Sequence, residues 1–364
     1  MRKVFVIILT LWLLIPAFSA LDIASEEGMI IGANRLYDGL DEDTEALLED
    51  VTPTGSPDFG KTLLRLLSKG ISGSEGTIRT ALRSGGLMIG TAVLCACAGS
   101  LGTGLSDRAA VMAGALAITA VCTGDLSAML GLAAQTTEKV ESFTKLLLPV
   151  MASALAASGG AVSGGALYAG SMLFFSVLSA AVRSLLTPMV LTAAALSAAD
   201  CAMPDAGLDR LRELIVWAAT LLLKGIMYLF TAYLTITGLL SGSADAMALK
   251  AAKAALSGVL PVVGSIVSDA SETVLASAGT IKTSVGLFGM LAVLAICLHP
   301  FLKIAVSYLV LRLTTALSAP ACLPPHTKLL ENLCSSMGLL LAMNGCQLLM
   351  ALISVTCFLK VVPG

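Results

Sequence analysis

Charge is what this chain has least of. Asp, Glu, Lys and Arg make up only 13% of its 364 residues, about half of the ~25% usual in soluble domains. Aromatic residues are 5%, and there are two histidines, His299 and His326. Each shortage excludes something. So little charge cannot clothe a water-facing surface, and a mean hydropathy of +0.92 rules out a soluble monomer. No basic stripe interleaved with aromatics is present, so nucleic acid has no electrostatic footprint. Neither histidine sits in a His-Glu-x-x-His setting, which removes a zinc-protease site. Asp125 and Asp200 lack the Gly-x-Gly-Asp and Tyr-Asp contexts of intramembrane aspartyl proteases, and no Gly-rich loop ending in Lys could cradle nucleotide phosphates. The nine cysteines contain no Cys-x-x-Cys pair, so no disulfide framework or metal ligand set is legible. Within apolar runs they read as small buried packers. No enzyme chemistry, cofactor or metal is expected.

Apolar length is what the chain has in excess. Hydrophobic residues are 57% of it, with 34 glycines suited to close helix contact in lipid. The expected fold is therefore all-α, a polytopic helical membrane protein. Crossing ~30 Å of hydrocarbon takes ~20 residues, and eight runs qualify: 84–105, 109–134, 162–182, 185–203, 214–240, 281–298, 302–319 and 333–359. Two shorter stretches, 146–158 and 256–268, read as half-helices or re-entrant hairpins.

Residues 1–20 carry Arg2 and Lys3, an apolar core, Pro16 and the small-residue end Ala17-Phe18-Ser19-Ala20, the build of a signal peptide or signal anchor. The segment after it should leave the cytosol. Of the 24 acids, 11 lie between Asp22 and Asp58, where Arg35 is the sole base. Residues 21–83 are thus expected as an extracytoplasmic helical segment, acidic first and then basic and amphipathic. In its second part Leu63, Leu64, Leu66, Leu67 and Ile71 share one helical face, opposite Lys61, Arg65 and Lys69. Such a helix can lie in the membrane interface. It could equally pack on the acidic segment through the same leucines.

The remaining chain repeats itself. Leu148-Pro149-Val150-Met151-Ala152-Ser153 recurs as Leu260-Pro261-Val262-Val263-Gly264-Ser265, a shift of 112 positions that also carries Pro188 onto Pro300. This divides the chain into a first span (84–106), repeat unit A (107–205), repeat unit B (206–320), and a last span with the C-terminus (321–364). Three crossings plus a returning hairpin is an odd number, so unit B is expected to be inverted relative to unit A, as in many transporters. Arg108, Arg183, Lys250, Lys253 and Lys282 then fall inside. The basic 61–83 stretch, Arg210 and Arg212 fall outside, against the positive-inside rule.

Broken backbone at membrane depth must be buried in protein or line a wet cavity. The candidates are Pro149, Gly159, Gly160 and Gly164 in unit A and Pro261 and Gly264 in unit B, with Asp269 and Glu272 in the second polar break. The glycines also fit simple close packing. Asp125, Lys224 and Arg312 lie inside apolar runs and each needs a partner or water. Asp125 set against Lys224 or Arg312 would neutralise the interior; otherwise the three line an ion or solute path.

The signal sequence, the acidic segment, the eight-run hydropathy, the stretch Leu260-Pro261-Val262-Val263-Gly264-Ser265-Ile266-Val267-Ser268-Asp269-Ala270-Ser271-Glu272-Thr273-Val274-Leu275 and the turn His299-Pro300-Phe301-Leu302-Lys303 together resemble the stage III sporulation protein AE family of endospore formers. That resemblance implies a membrane subunit of the complex joining mother cell and forespore, in the mother-cell-derived membrane around the forespore. It also implies partners: other stage III sporulation proteins of the same operon, a forespore protein across the intermembrane space, and a partner ATPase. It supplies no catalytic or ligand residues. A stand-alone secondary transporter for a small solute, or a scaffold that only recruits proteins, are the alternatives.

Overall fold

The computed structural model describes residues 36, 39–41, 44–45, 48, 59–72, 75–101, 105–203, 207–259, 264–320 and 322–360, with side chains left aside at 59, 98–108, 110, 238–279 and 281. The signal segment 1–20 and most of the acidic stretch lie outside the described residues. Among the described residues every element of more than a turn is helical: α1 (Phe59–Ser72), α2 (Glu75–Leu101), α3 (Leu105–Ala157), α4 (Ala161–Ala181), a π turn (Val182–Leu186), α5 (Thr187–Ala202), α6 (Leu208–Val259), α7 (Gly264–Ser318) and α8 (Pro324–Lys360).

Among the described residues six helices are long and apolar enough to cross a membrane: Gly60–Cys97, Val111–Ala157, Ala161–Ala202, Leu208–Thr237, Lys282–Ser318 and Pro324–Lys360. The eight expected runs become six because two pairs fuse. Runs 162–182 and 185–203 form one rod, and so do 281–298 and 302–319. Pro188 does not stop the first rod because it lies in the opening turn of α5, where a missing N–H costs least. The π turn before it re-closes the ladder: the Thr187 N–H and hydroxyl both donate to the Val182 carbonyl, the latter at 2.8 Å. Pro300 is likewise carried inside α7.

The stretch 146–158 is corrected in the same way. It is no separate half-helix: Leu146 to Ala157 are the last turns of the 53-residue α3, with Pro149 inside it. The chain breaks after it, at Ser158–Gly160, where Gly159 takes φ 96, a left-handed backbone that glycine adopts at little cost. In unit B the described helices end at Val259 and open at Gly264, and Pro261 with the centre of 256–268 lies outside the described residues.

Helix direction follows from which ends meet. The His326 ring, in the first turn of α8, is bonded to Val111 near the start of α3, and Lys328 of α8 pairs with Asp209 at the start of α6 and Asp200 at the end of α5. Thus α3, α6 and α8 all leave from one end. Ser307 of α7 meets Met129, whereas Gly289 packs on Leu147, so α7 runs back toward that end. Each unit now contains two rods, α3 with α4–α5 and α6 with α7, an even number. Both start from the same end, so the expected inversion is overturned. The same parity places Arg108, Arg210, Arg212 and Lys328 at one end of the bundle, removing the conflict over Arg210 and Arg212.

Candidate functional site

At 1.5 Å per residue α3 is about 80 Å long, far more than the ~30 Å hydrocarbon layer. Most of its charged side chains gather in one segment, 138–145. Glu141 on α3 binds Arg183 of the π turn at 3.2 Å and Lys145 at 2.8 Å, Glu138 lies 3.7 Å from Arg183, and Lys139 pairs with Asp41. These groups form a charged belt halfway up the bundle. The Asp41 side contains a cavity of about 260 Å³ lined by Gly39, Leu40, Glu138, Lys139, Ser142 and Ile296.

Inside the bundle runs α8, which packs on α3, α4, α5, α6 and α7. It buries Asn332, Ser336, Asn344, Gln347 and Ser354 among leucines and methionines. Their separations of 4, 8, 3 and 7 residues place them on one strip of a 3.6-residue helix. Polar groups in lipid turn inward because hydrocarbon offers them no partner, and this strip is largely tied to its neighbours. The Thr137 hydroxyl donates to Gln347 Oε1 at 3.1 Å, the Ser171 and Ser354 hydroxyls meet at 2.6 Å, and Asn332 Nδ2 donates to Asp209 at 3.4 Å. Asn344 Nδ2 donates back to Leu340 at 3.2 Å, while its Oδ1 is buried without a protein partner. A buried amide oxygen in that state is a place for water.

The lower end of the strip opens on a network of charges. Lys328 Nζ lies 3.1 Å from Asp200 Oδ2 and 3.0 Å from Asp209 Oδ2, and Arg212 Nε lies 3.2 Å from Asp209 Oδ1. Asp200 is buried, and accepts the Asp209 N–H at the start of α6, where the helix dipole favours an anion. A cavity of about 230 Å³ lies here, lined by Ser197, Asp200, Cys201, Pro324, Lys328 and Asn332 among others.

Of the residues singled out from sequence, Asp125 sits half-buried in a cavity of about 20 Å³ with Ser84, Cys122, Ser307 and Met337, room for about one water. Lys224 and Arg312 are exposed on α6 and α7, and among the described residues no ion pair joins either to Asp125. Arg312 lies beside the Cys334 thiol, which neighbours Cys122. Gly164 is a packing position, since a Cβ there would fall 2.9 Å from the Ala152 carbonyl oxygen, and a Cβ at Gly160 would strike Leu155. Pro149 is exposed and Gly159 half-buried. Gly264 opens α7; the side chains of Asp269 and Glu272 lie outside the described residues. The neutral strip of α8 and the partners Asp209 and Lys328 are missed when only charges inside apolar runs are weighed. The helical spacing of Asn332, Ser336, Asn344, Gln347 and Ser354 inside an apolar run is the signal that could find the strip. Among the described residues no three His, Cys, Asp or Glu side chains gather as a metal site.

Curated proteins and solved structures gave no match. A family does match, described as stage III sporulation protein AE, over residues 57–361. The matched stretch opens two residues before α1 and closes one residue after α8, so it takes in every long rod, the buried strip and all of the charged belt except Asp41. With most of its length covered in this way, the chain belongs to the stage III sporulation protein AE family.

Proposed function

We propose that the protein is a non-enzymatic integral membrane subunit of a channel or secretion-like complex linking mother cell and forespore, seated in the mother-cell-derived membrane around the forespore. Its partners are other stage III sporulation proteins of the same operon, a forespore protein across the intermembrane space, and an ATPase that supplies energy. The observation carrying this reading is the family match across all six membrane-length rods. The permease-like part is the strip of α8, because a row of buried amides and hydroxyls is what a wet route through an apolar bundle requires. Asp125, with its water-sized cavity below the belt, is part of the same route.

The test is the double variant Asn344→Leu/Gln347→Leu in sporulating cells, read by co-purification of the other stage III proteins and by a late forespore reporter. A channel subunit keeps its partners and loses the reporter. Retention of both leaves a scaffold. Solute uptake by vesicles containing this protein alone, abolished by the variant, would instead make it a stand-alone transporter.

A further inference from the structure

Three charges lie inside the apolar runs, and the fold takes up two of them. Asp125 is hydrogen-bonded to Ser84 in its small cavity, and Arg312 lies beside the Cys334 thiol. Lys224 is the exception: it is exposed on α6, and among the described residues no hydrogen bond or ion pair reaches it. Ten uncharged residues, 214–223, precede it and twenty, 225–244, follow it. The nearer end of that run is about 15 Å away along the axis, too far for a lysine stem to carry its ammonium out to water. Tyr228, one turn further on the same side, is 73% exposed, and side chains so spaced begin about 5–6 Å apart. Its hydroxyl also has no partner among the described residues, whereas Tyr233 of the same helix donates its own to the Ala166 carbonyl at 2.9 Å. Trp217, Leu221, Lys224 and Tyr228 share one exposed stripe about 60° wide. Beside it Gly225 leaves open space, since a Cβ there would meet nothing within 4 Å, and such a position lets a neighbouring backbone come close.

We propose that this stripe of α6 seats a transmembrane helix of a partner protein that carries one Asp or Glu near its midpoint. The partner's carboxylate accepts hydrogen bonds from the Lys224 ammonium and the Tyr228 hydroxyl. An ammonium at this depth is costly unless it is paired, and lysine offers donors only, so the occupant has to bring an anion. Acyl chains bring none. The chain's own apolar segment 1–20 contains no acid. A second copy docked through the same stripe about a two-fold axis would set Lys224 against Lys224. What remains is a helix from another protein with a buried carboxylate.

The inference rests on the proposed membrane subunit, specifically on its bundle being embedded, and the experiment separates the two. Full-length protein in a Trp12→Phe background is reconstituted in phosphatidylcholine vesicles, where Trp217, exposed on the stripe, is the one remaining indole. Quenching of Trp217 by acyl-brominated lipid reports the embedded bundle, and its absence overturns both. Two dansyl-labelled leucine-alanine peptides of about 21 residues, long enough to span, are then added, one with Asp at its centre and one with Leu. Energy transfer from Trp217 to the Asp peptide should exceed that to the Leu peptide several-fold at equal mole fraction. Lys224→Leu should remove the excess, Tyr228→Phe should reduce it, and Lys224→Asp should move it to a peptide with a central Lys. Equal transfer to the Asp and Leu peptides, or an excess that survives Lys224→Leu, overturns the seat and leaves the embedded bundle standing. Efficient disulfide cross-linking between copies through Leu221→Cys, with the native cysteines removed, makes a second copy the occupant and overturns the partner helix.

Discussion

Helices α6 and α8 leave from the same end of the bundle and carry the same mean hydropathy, 1.8, over their apolar windows, yet 22% of the α6 window is buried against 50% of the α8 window. On α6 the large side chains Leu214, Trp217, Leu221, Tyr228 and Leu229 point outward; on α8 Leu329, Leu330, Leu333, Leu340 and the three methionines are buried together with amides and hydroxyls, and Leu349 is exposed. Lipid is as apolar as leucine, so hydropathy decides that both helices insert but not which lies inside. Position is set by what the interior offers: partners for Asn332, Gln347 and Ser354, and small neighbours that admit a central rod.

The comparison is sharpest in direction. With the native cysteines removed, cysteines introduced as Arg210→Cys and Pro324→Cys, at the starts of α6 and α8, should label from one membrane face and Ala161→Cys, at the far end, from the other. Labelling of Arg210→Cys and Pro324→Cys from opposite faces would restore inverted halves. Next comes packing. Leu340, 0% exposed on α8, leaves a cavity when cut to alanine, costing about 2 kcal/mol or more, whereas Leu221→Ala, 55% exposed on α6, should cost under about 0.5 kcal/mol. Thermal unfolding in detergent checks both, and equal losses would erase the distinction.

Smaller effects test what ties α8 to its neighbours. Lys328→Ala should cost about 2 kcal/mol by leaving the buried Asp200 carboxylate without its cation, and the further change Asp200→Asn should recover part of it. Thr137→Val should cost only about 0.6 kcal/mol, the usual worth of one interhelical bond in a membrane protein, and should cost nothing once Gln347→Leu is present. The mildest concerns Asp41. Burial alone would raise its carboxyl, but hydrogen bonds from Lys139 and Thr44 and the Lys139 charge outweigh it and hold it below the ordinary 3.8. Folded-state affinity for its proton is therefore reduced, so its anchoring contribution is complete above that ordinary value and fades as pH falls through the lowered one. Asp41→Asn at neutral pH should mimic the acid state, seen as faster proteolysis around residue 41 with the bundle intact.

Much of the architecture is legible without any fold in hand. The apolar runs, the absence of strands among the described residues and the family all follow from composition and a few local motifs. The sites are less legible. Arg183 marks itself as a charge amid apolar residues, but its partners Glu138 and Glu141 lie more than 40 positions away in sequence. Asp125 and Arg312 stand out as intramembrane charges of opposite sign, which suggests a direct pair, yet they lie with Cys122 and Cys334 instead. The amides of α8 carry no charge and so do not stand out against their apolar run, although their spacing puts them on one strip.

Composition alone fixed that the chain enters a bilayer, because transfer from water to hydrocarbon depends on the side chains present and scarcely on their neighbours. It could not fix how many rods result, since whether a proline ends a helix depends on the turn before it, and the π turn at Val182–Leu186 carries one rod through. Joining two runs changes a crossing count from odd to even, and that alone reverses the relation between the halves. Which face of each rod is inside was likewise settled only by packing, because in lipid burial follows from fit and from hydrogen-bond partners contributed by distant parts of the chain.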